Sequence, residues 1–222
     1  MGKTRSGAGN DRRFSAGEEI ANAVTHGTGA LLSIGALLLL VLAAIARGSA
    51  VTVAAYAVFG LSLILLFTMS TIYHSLAPGR PKQVFEVLDH SSIYILIAGT
   101  YTVFCLGPLR RSGGWNLLAL VWTIAAAGVV FKSLWIDRFK LASTIAYLAM
   151  GWLIAPYFGA LRANLNGTAM ALLLAGGLFY TLGAVFYSLK RMPWFHPVWH
   201  LFVLAGAACH VAAALAALSP IA

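Results

Sequence analysis

Three histidines of this chain, His74, His196 and His200, could supply the ligands of a metal ion. Ser70 and His74 are four residues apart, as are His196 and His200, and this spacing puts both side chains of each pair on one helix face. Asp89 adds a carboxylate. Three imidazoles form the protein half of a catalytic zinc site, whose fourth position is left for water. The set therefore predicts zinc, with Asp89 orienting or deprotonating that water and Ser70 binding the water or a substrate oxygen.

Each of these residues also has an interpretation without a metal. A single histidine within a membrane can simply hydrogen-bond across helices. Ser70 could bond back to its own helix backbone, as serines in membrane helices commonly do. Asp89 could cap a helix, because an acid at a helix N-terminus interacts favourably with the dipole. Two pairs at helical spacing and an acid at one depth favour the metal site over these alternatives.

The composition predicts an integral membrane protein of the all-α class. Of the 222 residues, 60% are hydrophobic and 9% are charged, and the mean hydropathy is +0.86. Seven apolar runs approach the roughly 20 residues that cross a bilayer as a helix. We predict a polar cytoplasmic tail over residues 1–18 and a seven-transmembrane helix bundle over 19–222. The predicted spans are 21–46, 51–73, 91–109, 115–134, 141–161, 169–189 and 197–218.

The distribution of cations predicts the orientation of the bundle. With the N-terminus cytoplasmic, 11 of the 15 lysines and arginines face the cytoplasm and 4 face outside, in agreement with the positive-inside rule. The cytoplasmic set is Lys3, Arg5, Arg12, Arg13, Arg80, Lys82, Lys132, Arg138, Lys140, Lys190 and Arg191. We therefore expect an N-terminus inside, a C-terminus outside and a multi-pass location in the inner (plasma) membrane. The net charge of +9 then reflects orientation and anionic lipid rather than nucleic-acid binding.

The remaining polar residues in apolar runs have secondary roles. Glu19, Asn22 and His26 lie at helical spacing and favour a capping and inter-helix hydrogen-bond cluster, with orientation of a metal ligand as the alternative. We expect His90 at a surface or interface, and His210 as a hydrogen-bonded interior residue about 15 Å along the helix from His200. The small residues 205–208 would let another helix approach closely, which makes a homo-oligomer a candidate assembly.

Four groups of residues form motifs along the chain, namely Glu19-x-x-Asn22-x-x-x-His26, Ser70-Thr-Ile-Tyr-His74, Leu88-Asp89-His90 with Ala98-Gly99-Thr100-Tyr101-Thr102, and His196-Pro-Val-Trp-His200. These motifs resemble those of the hemolysin III family, the bacterial branch of the progestin and adiponectin receptor superfamily. The resemblance extends from Glu18 almost to the C-terminus.

This resemblance implies seven helices, a cytoplasmic N-terminus and zinc near the cytoplasmic face. His74, His196 and His200 would be the ligands, with Asp89 and Ser70 near the zinc-bound water. Receptor relatives are linked to ceramide hydrolysis. Two departures limit the likeness: the loops are too short for a hormone-binding domain, and Pro197 directly follows His196. Because the residue before a proline avoids helical backbone, we expect His196 near the cap of its span.

The favoured function is hydrolysis of a lipid amide or ester, with membrane lipids or a fatty acid as the molecules bound. The alternative is a non-enzymatic membrane-homeostasis or signalling protein whose metal staples the helices. A lytic pore is disfavoured, because the apolar spans supply no polar pore lining.

Overall fold

The computed structural model describes residues 14–47, 49–136, 139–189 and 192–219, and within them the chain is helical throughout its regular structure. The elements are α1 (Ala16–Arg47), α2 (Ala50–Ser75), α3 (Arg80–Leu106), α4 (Gly114–Trp135), α5 (Lys140–Gly151), a 3₁₀ segment (Trp152–Tyr157), α6 (Phe158–Asn164), α7 (Gly167–Ser188) and α8 (Phe195–Ala217). The all-α prediction is confirmed for these residues.

These elements form seven rods, because α5, the 3₁₀ segment and α6 follow one another without a loop. Six rods are long and apolar enough to cross a membrane, namely α1, α2, α4, the rod Leu141–Asn164, α7 and α8. The third rod, α3, is not among them, since charged and polar residues occupy its first half. It begins at Arg80, eleven residues before the predicted span 91–109, because the apolar run that defines the span covers only the later part of the helix.

The rods pack mainly against their chain neighbours, and α1 closes the bundle by contacting both α2 and α8. These two helices have few close backbone approaches of their own. One direct link is the Tyr56 hydroxyl of α2, which donates to the Ala214 carbonyl of α8 at 2.7 Å. Helix α1 therefore packs between α2 and α8 and sets the distance between them. These two helices carry His74, His196 and His200.

The outer surface of the bundle is apolar. Large side chains such as Leu31 and Leu39 of α1 are 73% and 59% exposed. In water such a surface would be unfavourable, whereas in a bilayer it faces lipid chains of the same character. The composition, the six apolar helices and this surface together indicate a multi-pass membrane protein.

The break in the fifth rod is stabilised by the Tyr101 side chain of α3. The Tyr101 hydroxyl lies 2.9 Å and 2.8 Å from the carbonyl oxygens of Met150 and Gly151, which accept its proton. It also accepts the Ile154 backbone N–H at 2.9 Å. The change to 3₁₀ geometry at Trp152–Tyr157 removes regular α-helical hydrogen bonds of the backbone. The Tyr101 hydroxyl bonds to several of the backbone groups left free by this change.

Part of the orientation prediction lies outside the described residues. Seven of the predicted cytoplasmic cations lie outside the described residues: Lys3, Arg5, Arg12, Arg13, Arg138, Lys190 and Arg191. Most of the predicted polar tail, residues 1–13, lies outside as well.

Removing the Tyr101 hydroxyl should destabilise the bundle. Tyr101→Phe leaves buried backbone groups of the fifth rod without a partner, which should cost roughly 1–2 kcal/mol and lower the melting temperature in detergent by about 2–8 °C. The matched control is Thr123→Val, because Thr123 is exposed and bonds only within its own helix. Equal melting temperatures for Tyr101→Phe and the wild type would contradict this role.

Candidate metal centre

Three imidazoles from two helices converge at one end of the bundle. His74 lies in the last turn of α2 and His196 and His200 in the first two turns of α8. One ring nitrogen from each lies within 4.8 Å of the others, and all three residues are buried. The ring centroids of His74 are 5.2 Å from His196 and 5.0 Å from His200. The structure therefore brings the three predicted ligands together.

Glu19 of α1 fixes the orientation of the His74 ring. Its Oε2 accepts the Nδ1–H of His74 at 2.6 Å, and its Oε1 accepts from Lys82 Nζ at 2.7 Å. The other nitrogen, His74 Nε2, is buried and has no hydrogen-bond partner among the described residues. A carboxylate behind Nδ1 sets the tautomer and leaves Nε2 as a basic lone pair for a cation.

The backbone of α1 orients His200 in the same way. The His200 Nδ1–H is shared between the carbonyl of Asn22 and the hydroxyl of Thr25, each at 3.3 Å. His200 Nε2 is buried without a hydrogen-bond partner in the described part of the chain. The His26 ring stacks flat on His200, with 3.5 Å between centroids and 7° between planes. One face of the ligand ring is thus fixed by a second imidazole.

His196 is positioned by the start of α8 and by aromatic rings. It is the second residue of that helix, so Pro197 falls in the first turn, where a missing N–H is tolerated. The prediction of a position near the cap is confirmed. The rings of Phe14 and Trp199 lie 4.6 Å and 5.0 Å from His196 between centroids.

The start of α8 is itself held by Glu18. Its Oε2 accepts the Ser15 backbone N–H and hydroxyl, both at 2.9 Å, which forms a capping box at the start of α1. Its Oε1 accepts the N–H of Trp194 at 2.8 Å. Trp194 caps α8 in the left-handed region, at φ 65°, which is unfavourable for a bulky residue unless its surroundings hold it. Glu18 thereby ties the beginning of α1 to the turn before His196.

The capping interpretation of Asp89 is wrong. Helix α3 begins at Arg80, so Asp89 is its tenth residue and is buried in the bundle rather than placed at a helix end. Ser70 faces this carboxyl: the Ser70 hydroxyl is within interaction range of Asp89 but makes no hydrogen bond of regular geometry, neither to its own backbone nor elsewhere in the described residues. The alternative in which Ser70 bonds back to its helix is therefore also wrong.

An apolar cavity adjoins the site on the Asp89 side. It lies between α3, the fifth rod, α7 and α8, and the space free of protein atoms there, including the part open to the surroundings, is about 1270 Å³. Asp89, His26, Tyr187 and Trp199 belong to its wall at the level of the histidines. The three imidazoles do not belong to this wall, but His26, which stacks on His200, does.

The donor set fits a metal ion. Two ring nitrogens, His74 Nε2 and His200 Nε2, are buried without hydrogen bonds in the described chain. Burying a polar atom without a partner costs about 1–3 kcal/mol of folding free energy. A cation bound between the two nitrogens removes that cost. Tetrahedral zinc with nitrogen at about 2.0–2.1 Å needs ligand nitrogens roughly 3.4 Å apart, which small side-chain rotations reach from the present spacing. The cluster could therefore hold a metal.

Four residues around the site were not identified from the sequence. The Ser15-x-x-Glu18 spacing signals a capping box, but nothing local signals the bond from Glu18 to Trp194. Thr25 and Lys82 follow no motif that links them to a histidine. Phe14, against His196, lies in the segment predicted as tail.

The other two histidines occupy structural positions. His90 donates from Nδ1 to the Glu86 carbonyl at 2.8 Å, and its Nε2 faces the Tyr187 hydroxyl at 3.3 Å across the α3–α7 interface. His210 is buried, and its Nε2 lies 3.2 Å from the Leu173 carbonyl oxygen. Both placements agree with the sequence-based expectation.

Comparisons with known proteins agree with this architecture. The family model described as "Haemolysin-III related" matches residues 14–211. The chain is 50% identical to Hemolysin-3 of Bacillus cereus over 86% of its own length and 87% of that protein. It is 48% identical to the Hemolysin-3 homolog of Bacillus subtilis, over 88% and 92%. It is also 31% identical to the human Monocyte to macrophage differentiation factor, over 69% and 66%.

Removing the carboxylate behind His74 should weaken metal binding without unfolding the protein. For Glu19→Ala we expect the affinity for Zn²⁺ to fall about 10- to 100-fold, because the ring loses its orientation and basicity. Glu19→Gln should recover part of this loss, since an amide oxygen still accepts from Nδ1. Isothermal titration of metal-stripped protein measures the effect. Thr28→Val, an exposed change on the same helix, is the control, and unchanged affinity in Glu19→Ala would refute this role.

Proposed function

The chain belongs to the haemolysin-III related family, and we propose that it is a zinc-dependent membrane hydrolase that cleaves an amide or ester bond of a lipid. The observation that carries the proposal is the convergence of three buried imidazoles beside an apolar cavity whose wall includes the Asp89 carboxyl, with the Ser70 hydroxyl interacting with that carboxyl.

Zinc is the metal that the donor set suits best. Three neutral imidazoles with an open fourth position are typical of catalytic zinc sites. Calcium and magnesium prefer oxygen ligands, whereas the three nearest donors here are nitrogens. Bound zinc would supply Lewis acidity, which lowers the pKa of a water molecule to roughly 7.

Asp89 and Ser70 are the candidates for proton transfer and substrate binding. Asp89 is buried in the cavity wall, so a carbonyl group that enters the cavity would meet its carboxyl beside the histidines. A carboxylate in that position can accept the proton of water and return it to the leaving group. The Ser70 hydroxyl interacts with Asp89 and is not bonded to its own helix backbone in the described residues, so it would be able to turn and donate to the substrate carbonyl oxygen.

The cavity supports a lipid rather than a polar substrate. Its wall is formed largely by aliphatic and aromatic side chains of α3, the fifth rod, α7 and α8. An acyl chain would fill this space and hold the bond to be cleaved against Asp89. Phe14, whose ring centroid lies 4.6 Å from that of His196, would limit the entry of bulk water.

The topology proposed with this function has seven spans, a cytoplasmic N-terminus and an outer C-terminus. The six apolar rods support six crossings, and α3 would make the seventh because α2 and α4 flank it. The excess of lysine and arginine on one side supports the orientation. The site would then lie near the cytoplasmic face of the inner membrane.

A structural role for the metal is the second candidate function. The ligands come from α2 and α8, which have few direct backbone approaches. A cation between them would act as a staple, in a membrane-homeostasis or signalling protein without turnover. Lytic activity has less support, because the cavity between the described spans is lined mainly by aliphatic and aromatic side chains, which do not form a polar pore lining.

Replacing Asp89 separates hydrolysis from metal binding. We expect Asp89→Asn to keep zinc, because the three imidazoles remain, and to lower the turnover of amide lipids about 10²- to 10⁴-fold through loss of the base. Zinc content and lipid hydrolysis are measured on purified protein in detergent. His200→Ala is the matched comparison and should lose both zinc and turnover. Full turnover in Asp89→Asn, or zinc without turnover in the wild type across a lipid panel, would contradict the proposal.

Chelation distinguishes the enzyme from the staple. If the metal is catalytic, removal of zinc should abolish turnover while the melting temperature falls by only a few degrees, and returning Zn²⁺ should restore activity. If the metal is structural, chelation should melt the bundle, because binding energy is then folding energy. Thermal denaturation and activity are followed on the same sample, and a large loss of stability would favour the staple.

A further inference from the structure

Two residues in the wall of the cavity each have a buried polar atom without a hydrogen-bond partner in the described part of the chain. The two atoms are His210 Nδ1 of α8 and Tyr180 Oη of α7. Both residues belong to the cavity wall, and their ring centroids are 5.3 Å apart. We refer to this pair as the distal subsite. Ten residues separate His200 and His210, so the subsite lies roughly 15 Å from the histidine cluster along the helix.

The two rings are built into the α7–α8 interface by glycines. A Cβ atom on Gly176 of α7 would lie 2.2 Å from Cδ2 of His210, and one on Gly206 of α8 would lie 3.0 Å from the Tyr180 ring. Each helix thus provides a glycine against which the polar ring of the other packs. The packing that brings both rings to the cavity depends on the absence of these two side chains.

The hydrogen-bonding capacity of the subsite is specific. His210 Nε2 lies 3.2 Å from the Leu173 carbonyl oxygen, so it carries the proton and Nδ1 is an acceptor. The Tyr180 hydroxyl can donate. One acceptor and one donor side by side match an alcohol, which donates one hydrogen and accepts another. The lining contains no lysine or arginine among the described residues, so a carboxylate at this depth would have no counter-charge.

We propose that the distal subsite binds the hydroxyl group of a chain amphiphile whose other end lies beside Asp89 and His26. With bonds of about 1.5 Å, an extended chain of about 12 carbon atoms spans roughly the distance between the two ends of the cavity. The proposal goes beyond lipid hydrolysis, because it concerns which chain fills the cavity, and it holds whether or not the bound molecule is cleaved.

The test compares two probes that differ in one group: dodecanoic acid and its ω-hydroxy derivative. Neither has an amide or ester bond, so binding is measured independently of hydrolysis, by displacement of a fluorescent fatty acid from the full-length protein in detergent. We expect the wild type to bind the hydroxylated chain about tenfold more tightly, as one well-placed hydrogen bond predicts. Tyr180→Phe should bind both chains equally.

Tyr56→Phe is the matched control, because the Tyr56 hydroxyl bonds to the Ala214 carbonyl and Tyr56 is not part of the cavity wall. This variant should keep the tenfold preference. Unaltered binding of dodecanoic acid by Tyr180→Phe reports an intact cavity. Equal affinities for the two probes in the wild type would overturn the proposal and assign the two polar atoms to bound water, and so would a preference that survives in Tyr180→Phe.

Discussion

The architecture depends on how α1 satisfies one nitrogen of each of two imidazoles. Glu19 takes the Nδ1–H of His74, and the Asn22 carbonyl, with Thr25, takes that of His200. An imidazole has two nitrogens, and in an apolar bundle both need a partner. By supplying one partner to each ring, the first helix determines the tautomer and turns the remaining lone pairs toward one point. The cluster exists because α1 lies between α2 and α8.

The same end of the bundle carries the polar contacts that hold these helices in register. Lys82 balances the charge of Glu19, and Glu18 joins the start of α1 to Trp194 before α8. Glu19 and Lys82 can be charged because both side chains are partly exposed, whereas the core between the helices is mostly aliphatic and aromatic. A buried charge is tolerated only with a partner. Glu18, which is buried, has such partners in Ser15 and Trp194.

Six of the seven rods in the described residues were predicted well, since each of these is a long apolar run bounded by polar or glycine-rich turns. The sequence also predicted which histidines converge, because helical spacing and a common depth are local properties. The first turns of α3 were not predicted, because a helix that begins with charged residues does not stand out as an apolar run. The break in the fifth rod was missed too: Pro156 is visible, but the Tyr101 hydroxyl that compensates for the break comes from another helix. Contacts such as Glu18 with Trp194 join residues that no local pattern relates.

The position of the cluster beside the cavity bears on what a metal would do there. Phe14 and Trp199 pack against His196, and His26 covers one face of His200. Trp199 and His26, together with Asp89, also belong to the wall of the apolar cavity. Structural zinc sites are closed by four protein ligands, whereas catalytic sites keep one position accessible. In the described part of the chain the cluster offers three imidazoles rather than four protein ligands, and a metal that served only to join α2 and α8 would gain nothing from the cavity beside them.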